Sequence, residues 1–125
     1  MTLSDFLRQY YFHDSSIEKI DFNIEHKILT IRIDFCFWMQ PWYKQSEDPA
    51  NALIDIIFEN VSLFEYNNHL VIQNFSEKCD NEIRDVVLDT NDCLQFVIAN
   101  SNDDNDLLLF KIKAIDVRVI NLQLQ

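Results

Sequence analysis

The stretch Tyr10-Tyr11-Phe12-His13-Asp14-Ser15-Ser16-Ile17 sets an imidazole beside a carboxylate, the pair used in proton shuttling and in metal phosphohydrolases. A metal site of that kind needs further histidines and carboxylates. The chain has only His26 and His69 besides, both next to expected turns, so no metal is assigned. Cys36, Cys79 and Cys93 are widely spaced, without a CxxC or a zinc-type Cys-His pattern, and they suggest neither a disulfide framework nor an activated nucleophile. Acidic neighbours of Cys79 should raise its thiol pKa. The Asn/Asp run at residues 102–106 lacks the glycine and spaced glutamate of a calcium loop and reads as a solvated loop.

The bland reading accounts for more of the first stretch. Asp14 and Ser15 can make an Asx- or Ser-type turn, with Phe12 and Ile17 dropping into the core on either side and His13 bonding a neighbouring strand. Phe12, His13, Asp14, Ser15 and Ile17 are therefore assigned to a structural turn.

A second group could bind a partner. Trp38, Trp42 and Tyr43 surround Pro41 in the proline-broken stretch 39–51, with Glu47 and Asp48 close behind. Large, stiff aromatics with a charged rim are what a protein contact uses as anchors. The competing reading folds both indoles back as a lid over the core. Asp103, Asp104 and Asp106 are added as an acidic contact patch.

The elements that position these residues follow from periodicity. Residues 2–12 suit a short helix capped by Thr2 or Ser4, with Leu3, Phe6, Leu7 and Tyr10 at helical spacing. Ile20, Phe22 and Ile24, then Leu29, Ile31, Ile33, Phe35 and Phe37, alternate with polar residues and predict a hairpin. Pairing Glu25 with Ile28 would set Ile24 opposite Leu29, Phe22 opposite Ile31, Ile20 opposite Ile33 and Asp21 opposite Arg32. Ile54, Ile56 and Phe58 predict another strand, with a bulge at Glu59-Asn60 that moves the apolar phase to Val61 and Leu63. Residues 69–75 suit a short strand, and 76–90 suit helix or strand. Leu94, Phe96 and Ile98 alternate once more. The final segment changes phase from Leu108, Phe110 and Ile112 to Ile115, Val117 and Val119, which two bends or two strands would explain.

The expected fold is α+β or mainly β: one domain over residues 1–125, an antiparallel sandwich or strongly curved sheet of roughly six or seven strands with a short N-terminal helix. With 125 residues and 48% hydrophobic composition, one core is expected. The chain has no glycine, which excludes Gly-rich nucleotide loops and leaves turns to Asn67-Asn68, Asp80-Asn81, Asn91-Asp92 and residues 101–105. A formal charge of −11 repels phosphate backbones, excluding nucleic acid as a partner class, and would steer a basic protein toward the chain. No membrane span and no secretory leader are evident, and a cytoplasmic location with reduced thiols is expected.

Residues 12–35, FHDSSIEKIDFNIEHKILTIRIDF, followed by IIFENVSLFE, resemble small uncharacterised bacterial proteins that open with a His-Asp-Ser/Ala-x-Ile turn, run a hairpin and carry a later I-x-F-x-N/G-V strand. Several such families are similar to immunity proteins of polymorphic toxin systems. Asn60 stands where that pattern usually has glycine, and the pattern defines no catalytic residues. The resemblance implies a protein partner, a basic toxin. The resulting expectation is a non-catalytic, cofactor-free binding module. The alternatives are a hydrolase or transferase using His13-Asp14, marked by a concave pocket beside His13, and an oligomeric accessory domain.

Overall fold

A computed structural model describes residues 1–47, 49–100 and 103–122, with the side chains of residues 100 and 103–105 left aside. The elements run α1 (Leu3–Gln9), β1 (Ser16–Asn23), β2 (Ile28–Cys36), a 3-10 turn (Phe37–Met39), β3 (Asn51–Tyr66), β4 (His69–Leu70), β5 (Phe75–Leu88), β6 (Leu94–Asn100) and β7 (Asp103–Asn121). All strand pairs are antiparallel, in the order β2-β1-β5-β6-β7-β3-β4. A further β2–β3 ladder, from Leu29↔Phe58 to Cys36↔Asn51, closes six of the seven strands into a barrel, the strongly curved, mainly β sheet expected.

The barrel is filled from its own alternation. Leu29, Ile31, Ile33 and Phe35 of β2 and Ala52, Ile54, Ile56 and Phe58 of β3 are buried at every second position, as a strand with one core-facing side requires. In β1 the buried residues Ile17 and Ile20 are three apart because the ladder shifts register between Ile17 and Lys19. Helix α1 begins where Thr2 Oγ1 accepts a hydrogen bond from Asp5 N (3.1 Å), so Thr2 is the cap. It buries Leu3 and Phe6, and Phe6 meets Phe12 and Phe58 at ring-centre distances of 5.2 and 6.1 Å.

Several local readings are corrected. The hairpin pairs Asn23 with Ile28, so Phe22 faces Leu29, Ile20 faces Ile31 and Asp21 faces Thr30. Its loop is 24–27: Asn23 Oδ1 accepts from His26 N, and Lys27 alone in the loop takes a positive φ (56°). A two-residue type I′ turn would need two such residues. The register differs by two, which keeps every buried side chain on its face but moves Ile24 into the exposed turn. Arg32 pairs instead with Asp55 across the closing β2–β3 seam.

In β3, Asn60 has φ 54°, but the ladder to β7 shifts between Val61 and Leu63, so Val61 and then Phe64 are buried rather than Leu63. Residues 75–88 are strand, and the Asp80-Asn81 turn does not form. The final segment is one strand whose buried phase moves from Ile112 to Val117, leaving Ile115 exposed. The acidic stretch from Asp103 onward belongs to that strand rather than to a loop.

Candidate functional site

Because neighbouring strands alternate in direction, the connections alternate between the two ends of the barrel. The β2–β3 loop, the β5–β6 turn, α1 and residues 10–15 share one end. The β1–β2 turn, the β3–β5 connection and the β6–β7 hairpin share the other. The proposed aromatic and acidic residues are therefore divided: Trp38, Trp42, Tyr43 and Glu47 lie at the helix end, whereas Asp103, Asp104 and Asp106 begin β7 at the far end. Asp48 lies outside the described residues, and of Asp103 and Asp104 only the backbone is described.

At the helix end the loop is held by specific bonds. Trp42 Nε1 donates to Gln9 O (2.8 Å), and its ring meets Tyr10 and Phe37 edge-on at 6.1 and 5.5 Å. Trp38 N donates to Ala50 O, and Tyr43 N to Gln40 O. Gln40, only 4% exposed, accepts from Tyr11 N at Oε1 (2.7 Å) and donates through Nε2 to Tyr11 O (2.6 Å) and Cys36 O (2.9 Å). Neither indole is a buried lid: Trp38 is 53%, Trp42 40% and Tyr11 50% exposed. Tyr43 is half-buried against the core, and Glu47 is exposed, with Lys44 Nζ 3.7 Å away.

The turn between α1 and β1 is tied to its surroundings by backbone and serine. Asp14 takes φ 69°, Ser15 N donates to Phe12 O (3.0 Å), and Phe12 and Ile17 are buried on either side. The fully buried Ser15 Oγ accepts from Cys36 N (3.0 Å), and Ser15 O accepts from Ile83 N (2.7 Å), joining the turn to β2 and β5. Cys36 Sγ donates to Asp14 O (3.3 Å). The Asp14 carboxylate turns to its neighbour instead of the backbone: Oδ1 lies 3.2 Å from His13 Nδ1, with both side chains half-exposed. His13 stacks on Tyr11 at 6.1 Å and makes no bond to a neighbouring strand among those described.

Beside His13 runs an open groove of about 180 Å³, with Tyr10, Tyr11 and His13 on one wall and Arg84, Asp85 and Val86 on the other. Arg84 Nη1 is drawn to Glu82 Oε1 (3.2 Å), and Asp85 Oδ1 accepts from Val86 N (2.9 Å). Tyr11, Gln40, Arg84 and Asp85 were not singled out in the sequence. Tyr11 could have been found from its aromatic neighbours, but nothing local marks a glutamine beside a proline as a buried clamp.

Among the described residues no group of three or more His, Cys, Asp or Glu is placed to hold a metal. No helix among them is long and apolar enough to cross a membrane. No protein-family model, curated protein or solved structure matches the chain.

Proposed function

We propose that this chain is a non-catalytic protein-binding module whose contact surface is the helix end of the barrel. The observation that carries the reading is the pair Trp38 and Trp42, each at least 40% exposed on a loop fixed to α1 and to the buried Gln40. Aromatic area already held in place loses little freedom on binding, which is what an anchor residue needs. Tyr11 extends the surface, and Glu47, Asp14 and Asp85 supply a carboxylate rim. Asp103, Asp104 and Asp106, at the other end, act only through the long-range field of a chain with formal charge −11.

That field suits a basic partner, and the opening-turn resemblance suggests an immunity protein that covers a basic toxin in the cytoplasm. Three free cysteines agree with a reducing compartment. The test is co-expression with the product of a neighbouring toxin gene. Rescue of growth and co-purification are expected, both abolished by Trp38→Ala with Trp42→Ala in a chain that still folds. Rescue that survives the double variant would remove the aromatic surface from the mechanism.

The groove beside His13 favours a second reading, a hydrolase or transferase in which the His13-Asp14 pair moves a proton. It predicts turnover of phosphate or acyl esters that His13→Gln abolishes while partner binding persists.

A further inference from the structure

β5 changes neighbours along its length. Residues 75–82 pair with β1, and residues 83–88 pair with β6. Among the described residues, the side of 75–82 that faces away from β1 is thus a sheet edge without a partner strand; the ladder to β1 shifts register between Lys78 and Asn81, and Asp80 N already donates to Asn81 Oδ1 (3.3 Å). Unpaired N–H and C=O groups in such a row are a template for another strand.

The occupant follows from parity and charge. Two copies of one edge pair antiparallel about a twofold axis normal to the sheet, which keeps every side chain on its own face. Directly opposed residues share a face, so a residue can meet only one of the same parity, and the axis must pass through a residue rather than between two. An axis at Glu77, Lys78 or Asp80 opposes identical charges. At Cys79, Lys78 meets Asp80 of the second copy and Asp80 meets its Lys78, while Glu77 meets Asn81 and Ser76 meets Glu82. No like charges are opposed in that register, and two complementary pairs form. It also ends at Glu82, one residue before Ile83, where β6 takes up the ladder. Lys78 and Asp80 are exposed and form no ion pair among the described residues.

We propose that the chain forms a symmetric dimer by antiparallel pairing of residues 76–82 of β5, with the twofold axis at Cys79. One short ladder buries less surface than a standard stable interface, so the dimer dissociates in the micromolar range. The edge belongs to the half of β5 nearer the far end, so dimerisation leaves Trp38, Trp42 and Tyr11 free.

Sedimentation equilibrium of the full chain at physiological salt, where the repulsion between chains is screened beyond about 8 Å, tests this. A monomer–dimer equilibrium is expected. Lys78→Asp and Asp80→Lys should each raise the dissociation constant about tenfold, since each change acts twice in a symmetric dimer. The double exchange should restore it, with unchanged circular dichroism throughout. Copper–phenanthroline, as oxidant, should join two Cys79 thiols in a covalent dimer that Cys79→Ser prevents. A chain monomeric at every concentration, or a dimer indifferent to the single exchanges or not restored by the double one, would overturn the proposal. Loss of dimer in Trp38→Ala/Trp42→Ala would overturn it too, whereas loss of partner binding alone in that variant leaves it standing.

Discussion

Gln40 grips Tyr11 by both backbone polar groups, accepting from its N–H at 2.7 Å and donating to its C=O at 2.6 Å, as a neighbouring strand would. The side-chain amide joins the β2–β3 loop to the segment after α1, and thereby aligns Trp42 with Gln9. Gln40→Leu leaves the Tyr11 groups and the Cys36 carbonyl without their partner, at a cost of about 3 kcal/mol. The expected drop in melting temperature is roughly 10 °C. A Gln40→Leu protein that melts with the wild type would show that the clamp is dispensable.

Exposed indoles are measurable. Acrylamide should quench most of the tryptophan emission of the native protein. Trp38→Phe should remove the more accessible share, because Trp42 is bonded to Gln9 and packed on Tyr10 and Phe37. Native emission as protected from quencher as that of a core indole would contradict the surface described for both residues.

The β5–β6 turn is organised by one carboxylate. Asp89 Oδ1 accepts from Cys93 N (3.0 Å) and Asn91 N (2.8 Å), and Oδ2 accepts from Gln95 Nε2 (2.9 Å). These bonds, that from Cys93 foremost, hold its carboxyl below the ordinary value of 3.8. A pKa depressed by folding means that the stabilisation is complete above the unfolded value and is lost as pH falls through the folded one. Thermal melts from neutral pH downward should show Asp89→Asn less stable than wild type at pH 7, with the difference narrowing below about pH 4. A difference that stays constant across that range would exclude the carboxylate as its source.

Cys79 should be a slow nucleophile. Burial first, then the nearby Glu77 charge, pushes its thiol from 9.0 up to about 11. At pH 8 its thiolate fraction falls roughly a hundredfold below that of the ordinary thiol. Iodoacetamide labelling followed by peptide mapping should find Cys79 modified far more slowly in native than in urea-unfolded protein; equal rates would refute the raised pKa.

Without glycine, the chain places six residues at positive φ among those described: Asp14, Lys27, Asn60, Asn67, Asn68 and Asp92. Asn60→Gly should be neutral or slightly stabilising, whereas Asn60→Val should lose about 1–2 kcal/mol, because a β-branched side chain is strained there. Urea titrations of the two variants decide it; a valine variant as stable as wild type would mean that the bend at Asn60 is not enforced by that dihedral.

What the amino-acid order determined by itself was local. Alternation marked β1, β2, β3 and β6, the helical spacing of Leu3, Phe6 and Leu7 marked α1, and the lack of glycine directed attention to Asn67-Asn68 and Asn91-Asp92. These follow from side-chain period and backbone sterics, which act over a few residues. Only the tertiary structure decided what joins to what. The partner of Arg32 proved to be Asp55 because the closing β2–β3 seam, not the hairpin, supplies its cross-strand neighbour. A phase change in residues 107–122 reads the same for a broken strand and for one bent strand, and pairing with β3 made it one. Trp38 and Asp103 were grouped by chemistry, yet an antiparallel barrel sends successive connections to opposite ends, so pairing order separates them however alike their roles look along the chain.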